Sequence, residues 1–90
     1  MQQVHVYISG FVQGVGFRQF IKHSAKKNGI AGWVKNLPDG RVEAIFQGSK
    51  VSIERIILRC KKGPMLSEVE DVYVEWNPKN LEKFLDFSIR

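Results

Sequence analysis

Apolar and polar residues exchange places at every second position near the start of the chain: Val4, Val6 and Ile8 alternate with His5, Tyr7 and Ser9. A period of two puts one set on each side of an extended backbone, so this stretch predicts a half-buried strand. The period then changes. Phe17, Phe20, Ile21, Ala25 and Asn28 recur at helical spacing, with Lys26 and Lys27 suited to a last turn and Gly29 to the position beyond it. "IAGWVKN" reads as a second strand, "LPDG" as a turn and "RVEAIFQ" as a third strand.

Ser49 is placed to cap a second helix whose apolar stripe is Val51, Ile53, Ile56, Ile57 and Cys60, and "KKGP" supplies its stop. "SEVEDVYVEW" predicts a fourth strand with a bulge, because Val69 falls out of phase with Val72, Val74 and Trp76. "NPKN" turns the chain, and Leu85, Phe87 and Ile89 alternate in a short last strand, for which a hairpin with the fourth is expected while the connection permits other edges. The order β-α-β-β-α-β plus a terminal strand predicts an α+β, ferredoxin-like sandwich: an antiparallel sheet with both helices on one face. The other face, with His5, Tyr7, Trp33, Lys35, Arg41, Glu43 and Tyr73, should be largely solvated.

Composition narrows the function classes. Ninety residues, 43% hydrophobic and 26% charged, suit one globular domain spanning 1–90. No apolar run approaches a membrane span and the N-terminal residues lack a signal-peptide pattern, so a cytoplasmic protein is expected. Cys60 is the only cysteine and His5 and His23 the only histidines, which argues against a disulfide framework or a metal cluster. Cys60 should be a small core residue, His23 a surface one, and His5 has no partner nearby in sequence. The net charge of +5 favours anionic partners, although surface lysines that only keep the chain soluble would produce the same balance.

The stretch that helix and strand periodicity does not absorb is "GFVQGVGFR", residues 10–18. It fails the Walker pattern, since Phe17 and Arg18 follow Gly16, and a Rossmann fingerprint from Gly14 would need glycine where Gln19 stands. Its context is nonetheless strand, glycine-rich turn, helix start, where backbone N–H groups can converge on an anion. Arg18 has the wrong sign for a helix N-terminus unless an anion lies beside it. A tight strand-to-helix turn with no ligand would call for the same glycines. If the first strand runs up, the first helix runs down and the second strand runs up again, so Asn36 at the end of "VKN" lies on the same sheet edge as the loop. The third strand separates the two strand ends by about 10 Å, a gap that a phosphate and one water could bridge. An asparagine before a turn can also simply cap that turn.

"GFVQGVGFR" together with "GWVKNLPDGRVEAIFQG", residues 32–48, resembles the two signatures of the acylphosphatase family, including the spacing of Gly32, Asn36, Gly40, Val42 and Gly48. The resemblance implies metal-independent hydrolysis of a carboxyl–phosphate mixed anhydride, with no cofactor. It implies that Arg18 and the backbone N–H groups of Phe11, Val12, Gln13, Gly14, Val15 and Gly16 hold the phosphoryl group while Asn36 holds the attacking water. A small acyl phosphate is the implied substrate, inorganic phosphate or sulfate a competing ligand, and a monomer the expected state. Two other readings compete. An RNA platform of the same fold needs exposed aromatics on the third strand, where Phe46 instead shares the core phase of Val42 and Ala44, so no nucleic acid is expected. A regulatory or transfer domain within a larger protein would have flanking domains, which ninety residues do not contain.

Overall fold

The computed structural model describes residues 1–79 and 82–90. Its elements are β1 (Gln2–Phe11), α1 (Phe17–Lys27), β2 (Ala31–Asn36), β3 (Val42–Gly48), α2 (Lys50–Lys62), β4 (Glu68–Trp76) and β5 (Phe87–Ile89). They form one sheet in the order β4-β1-β3-β2-β5. The pairs β1–β4, β1–β3 and β2–β3 are antiparallel, as the sequence pattern predicts. The bulge falls where Val69 leaves the phase: Ser9 pairs with Asp71 but Gly10 with Val69, which leaves Glu70 as the extra residue.

The inward phase of the strands builds the core. Val4, Val6, Ile8, Val34, Val42, Ala44 and Phe46 are buried beneath Phe17, Ile21 and Ala25 of α1 and Ile53, Ile56 and Cys60 of α2. Phe46 is fully buried on this side, so it cannot act as an RNA-stacking platform. Burial in apolar surroundings pushes the Cys60 thiol up to about 12, so it stays neutral. Ser49 caps α2, its Oγ accepting the Ser52 N–H at 3.1 Å. Val51, placed in the apolar stripe by its spacing, is instead exposed in the first turn of that helix.

The last strand departs from expectation. It does not return as a hairpin with β4; it pairs in parallel with β2 at the opposite edge, Gly32 with Phe87 and Val34 with Ile89, which makes the sheet mixed. Ten residues separate Trp76 from Phe87, enough extended chain to span about 33 Å. Crossing four strand spacings takes only about 19 Å. Side chains on the open face bind the described parts of that segment. Gln3 Nε2 donates to the Glu82 carbonyl. Gln47 donates to the Phe84 carbonyl at 3.0 Å and accepts the Phe84 N–H at 3.1 Å. Leu85, expected in the strand, lies before it and is exposed. The "NPKN" turn is described only in part, since Asn80 lies outside the described residues.

The open face is therefore less solvated than its polarity suggests: Trp33 and Glu43 are both buried. His5 Nε2 and Glu43 Oε2 lie 2.5 Å apart, and Lys35 Nζ is 3.7 Å from the other Glu43 oxygen. The His5 ring stacks on Tyr7 with centroids 4.7 Å apart, while Arg41 lies over the other ring at 4.8 Å. Tyr7 has its phenol held above the ordinary value of 10.0, first by desolvation and then by the Glu43 charge.

Phe87 carries the docking of β5, being 4% exposed with its ring stacked 5.9 Å from Phe46. Phe87→Ala should therefore cost about 3–5 kcal/mol in urea unfolding. A loss below about 1 kcal/mol would show that β5 does not pack in this place.

Candidate functional site

The site begins where β1 can no longer continue. Val12, 1% exposed, pins the chain to the core just beyond the strand. Gly14 and Gly16 then adopt φ values of 76° and 77°. A Cβ at either would meet nothing within 4 Å, so conformation rather than space requires glycine here. An L-residue in this left-handed region costs about 1–2 kcal/mol. The reversal delivers the chain directly into α1.

That helix start is unusually bare. Its N-cap is Gly16, which has no side chain to accept a hydrogen bond, and its first turn contains no acidic residue. The first helical bond runs from Phe20 N–H to the Gly16 carbonyl at 3.0 Å. The N–H groups of Phe17, Arg18 and Gln19 precede that bond and have no intrahelical acceptor. They add to the positive end of the helix dipole. Arg18 extends from the same turn, exposed and in no ion pair among the described residues.

Asn36 ends β2 at the same sheet edge. Its Oδ1 is buried and has no hydrogen-bond partner among the described residues. Leaving a buried acceptor unpaired costs about 1–3 kcal/mol, so this position favours a bound molecule that can donate. Between Asn36 and the start of α1 lies a cleft of about 180 Å³. Val12, Gly14, Gly16, Phe17, Arg18, Gln19, Asn36 and Ile89 line it. The volume is below the usual range for drug-sized ligands and suits a small polar group. No carboxylate, imidazole or thiol is among the lining residues. Among the described residues, no group of three or more His, Cys, Asp or Glu is placed to hold a metal ion.

The sequence candidates are only partly gathered here. Val12, Gly14, Gly16, Arg18 and Asn36 meet at the cleft, whereas Phe11, Gln13 and Val15 do not line it. Phe11 is the last residue of β1, opposite Glu68, with its ring exposed. Val15 packs against the core. The Gln13 side chain turns away and donates to the carbonyls of Leu37 at 2.8 Å and Arg41 at 2.9 Å. It thereby ties the glycine loop to the turn that follows Asn36. That turn is closed by Leu37 N–H to the Arg41 carbonyl at 2.8 Å. Asp39 accepts from the Arg41 N–H and guanidinium, which together hold its carboxyl below the ordinary value.

Sequence reasoning missed Gln19, Ile89 and the Gln13 side chain. Gln19 follows Arg18 in the first turn and was legible as a neighbour. Ile89 reaches the cleft only because β5 joins β2, for which the local pattern has no signal. His23 is exposed on α1, and His5 belongs to the open sheet face.

Residues 4–89 match the acylphosphatase family. An acylphosphatase of Trichormus variabilis is 47% identical over 83 residues, covering 91% of this chain and 82% of the relative. The crystal structure of acylphosphatase from Bacillus subtilis superposes with a TM-score of 0.94 at 40% identity, covering 100% of this chain and 99% of that one. The same fold forms part of a longer chain in the crystal structure of HypF from T. kodakarensis, with a TM-score of 0.85 and 30% identity. There all of this chain matches only 12% of that one.

The Gln13 clamp predicts a local effect separable from general destabilisation. Gln13→Met keeps the length of the side chain but donates nothing, and should cost about 1–3 kcal/mol in stability. Amide exchange at Leu37 and Gly40 should accelerate well beyond that of the buried strands. Uniform acceleration across the sheet would refute the clamp.

Proposed function

This chain belongs to the acylphosphatase family, hydrolases that act on acyl phosphates, and we propose that the cleft at the ends of β1 and β2 performs this hydrolysis without a metal ion. The carrying observation is that one small cleft is lined by Arg18, by the uncapped start of α1 and by Asn36, with no ion pair to Arg18 and no hydrogen-bond partner for Asn36 Oδ1 among the described residues. Arg18 and the backbone N–H groups of the 11–16 loop hold the phosphoryl oxygens, with Gly14 and Gly16 nearest the cleft. Inorganic phosphate and sulfate present the same oxygens and compete for the same place.

The chemistry needs little more. Water attacks phosphorus, the bond from phosphorus to the acyl oxygen breaks, and carboxylate and phosphate leave. The departing carboxylate belongs to an acid of pKa about 4, so it departs without a proton from the protein. Charge developing on the phosphoryl group is met by the Arg18 guanidinium and the backbone N–H groups of the loop, and such charge stabilisation is where phosphoryl transfer gains most of its rate. Asn36 cannot act as a base. Its Oδ1 accepts one hydrogen of the attacking water and turns a lone pair towards phosphorus. The substrate phosphate takes the water's remaining proton.

The lining supports metal independence, because it offers no carboxylate, imidazole or thiol as a ligand. The same reading takes residues 1–90 as one domain acting as a monomer in the cytoplasm. Its single cysteine is buried and free, so the fold requires no disulfide.

Hydrolysis of an aryl acyl phosphate in excess chelator tests the reading, with wild type and two variants measured side by side. Activity that disappears with chelator and returns with metal would overturn it. Arg18→Lys keeps the charge but loses the paired hydrogen bonds of a guanidinium, and should lower kcat/KM by about 10²–10³-fold. Near-normal kinetics in that variant would reduce the site to a basic patch. Asn36→Ala should depress kcat severely while the inhibition constant of phosphate stays within about a few-fold of wild type. Parallel losses in both would make Asn36 a ligand of the anion rather than of water.

A further inference from the structure

Positive charge is not spread evenly over this molecule. The two helices carry nine basic residues against one acidic, Glu54, a formal charge of +8. The chain as a whole carries +5, so the remaining residues sum to −3. The excess is therefore confined to the outer helix layer, and only Arg18 of the nine lines the catalytic cleft. A surface that merely needed solubility would intersperse both signs.

Within that layer the charges converge. A groove of about 530 Å³ between α1 and α2 is lined by His23, Lys27, Asn28, Arg55, Leu58 and Arg59, among others, and by no carboxylate. His23 and Lys27 are four residues apart on α1, and Arg55 and Arg59 four apart on α2. Each pair thus projects from one face, about 5–6 Å apart. Like charges at the spacing of Arg55 and Arg59 disfavour a helix unless an anion sits between them. Lys27, Arg55 and Arg59 enter no ion pair among the described residues. Arg59 reaches across to α1 and lies 4.9 Å from the Phe20 ring centroid, which holds its guanidinium at the groove.

We propose that this interhelical groove is a second anion site, separate from the catalytic cleft, that binds a soluble oligophosphate such as inorganic tripolyphosphate or the triphosphate of a nucleotide. Two guanidiniums on adjacent turns can each take two oxygens of a phosphate chain, with Lys27 opposite as a point charge. The volume lies in the range of small-molecule sites. A nucleic-acid strand would instead want a longer cationic track with exposed aromatic faces, and here the Phe20 ring is covered by Arg59. Arg18 opens α1 while Lys27 closes it, about 14 Å apart along the axis, so one phosphate cannot occupy both sites.

The test is a titration of the full chain with sodium tripolyphosphate at 0.15 M salt, followed by amide chemical shifts. Saturable shifts at residues 23–28 and 55–59, distinct from those at 14–19, are expected. Arg55→Gln with Arg59→Gln should weaken the groove response by at least about tenfold, with hydrolysis of the aryl acyl phosphate unchanged. Lys61→Gln with Lys62→Gln removes the same charge from the same helix and should weaken it less than about twofold. Equal losses in the two double variants would reduce the groove to a generic basic surface and overturn the proposal. So would shifts confined to 14–19, or a groove that responds to single-stranded RNA or anionic phospholipid vesicles but not to tripolyphosphate.

Discussion

The arrangement of β1 and β2 on either side of β3 is the constraint on which the site depends. Both are antiparallel to β3, so they are parallel to each other and end at the same edge of the sheet. The chain leaves β1 through the glycine loop into α1, and leaves β2 at Asn36. No other placement of these elements would set a helix start and a strand end facing one another across a gap the width of one strand. The side chains add modest adjustments to this frame. Val12 pins the loop to the core, and Gln13 ties it to the turn after Asn36.

A second theme is how polar groups are paired. Several side chains away from the cleft find partners within the chain: Ser49 caps α2, Gln3 and Gln47 bind each other and the segment after β4, and Glu43 meets His5 and Lys35. At the cleft the pattern reverses. Among the described residues, no side chain caps the helix, no carboxylate pairs with Arg18 and no donor meets the Asn36 oxygen.

The two faces of the sheet divide the remaining labour. One carries the core and the helices, whose outer surface concentrates positive charge. The other carries aromatic and ionic contacts partly covered by the chain between β4 and β5. That covering accounts for the burial of Gln47, which binds the Phe84 backbone, while Glu43 is buried against His5 and Lys35. It also carries β5 to β2, whose edge would otherwise offer unpaired backbone groups.

Most of the fold was written locally. Alternation identified the first four strands, Lys26–Lys27 with Gly29 and Ser49 with "KKGP" marked the helix ends, and the phase slip at Val69 marked the bulge. Period and capping depend on near neighbours, which is why they are legible in a string of residues. The glycine spacing, Arg18 and Asn36 were legible for the same reason, and the element order sufficed to put them on one edge. Tertiary structure alone decided what depends on distant partners. The β5 segment alternates as well beside β4 as beside β2, and distant partners, among them Phe46 and the glutamines Gln3 and Gln47, hold it at the far edge. Ile89 reaches the cleft as a consequence. His5 and Glu43 are 38 residues apart in sequence, and the Gln13 side chain finds carbonyls 24 and 28 residues away. No local pattern encodes such a pairing, because its energy exists only once the strands have fixed which residues stand opposite one another.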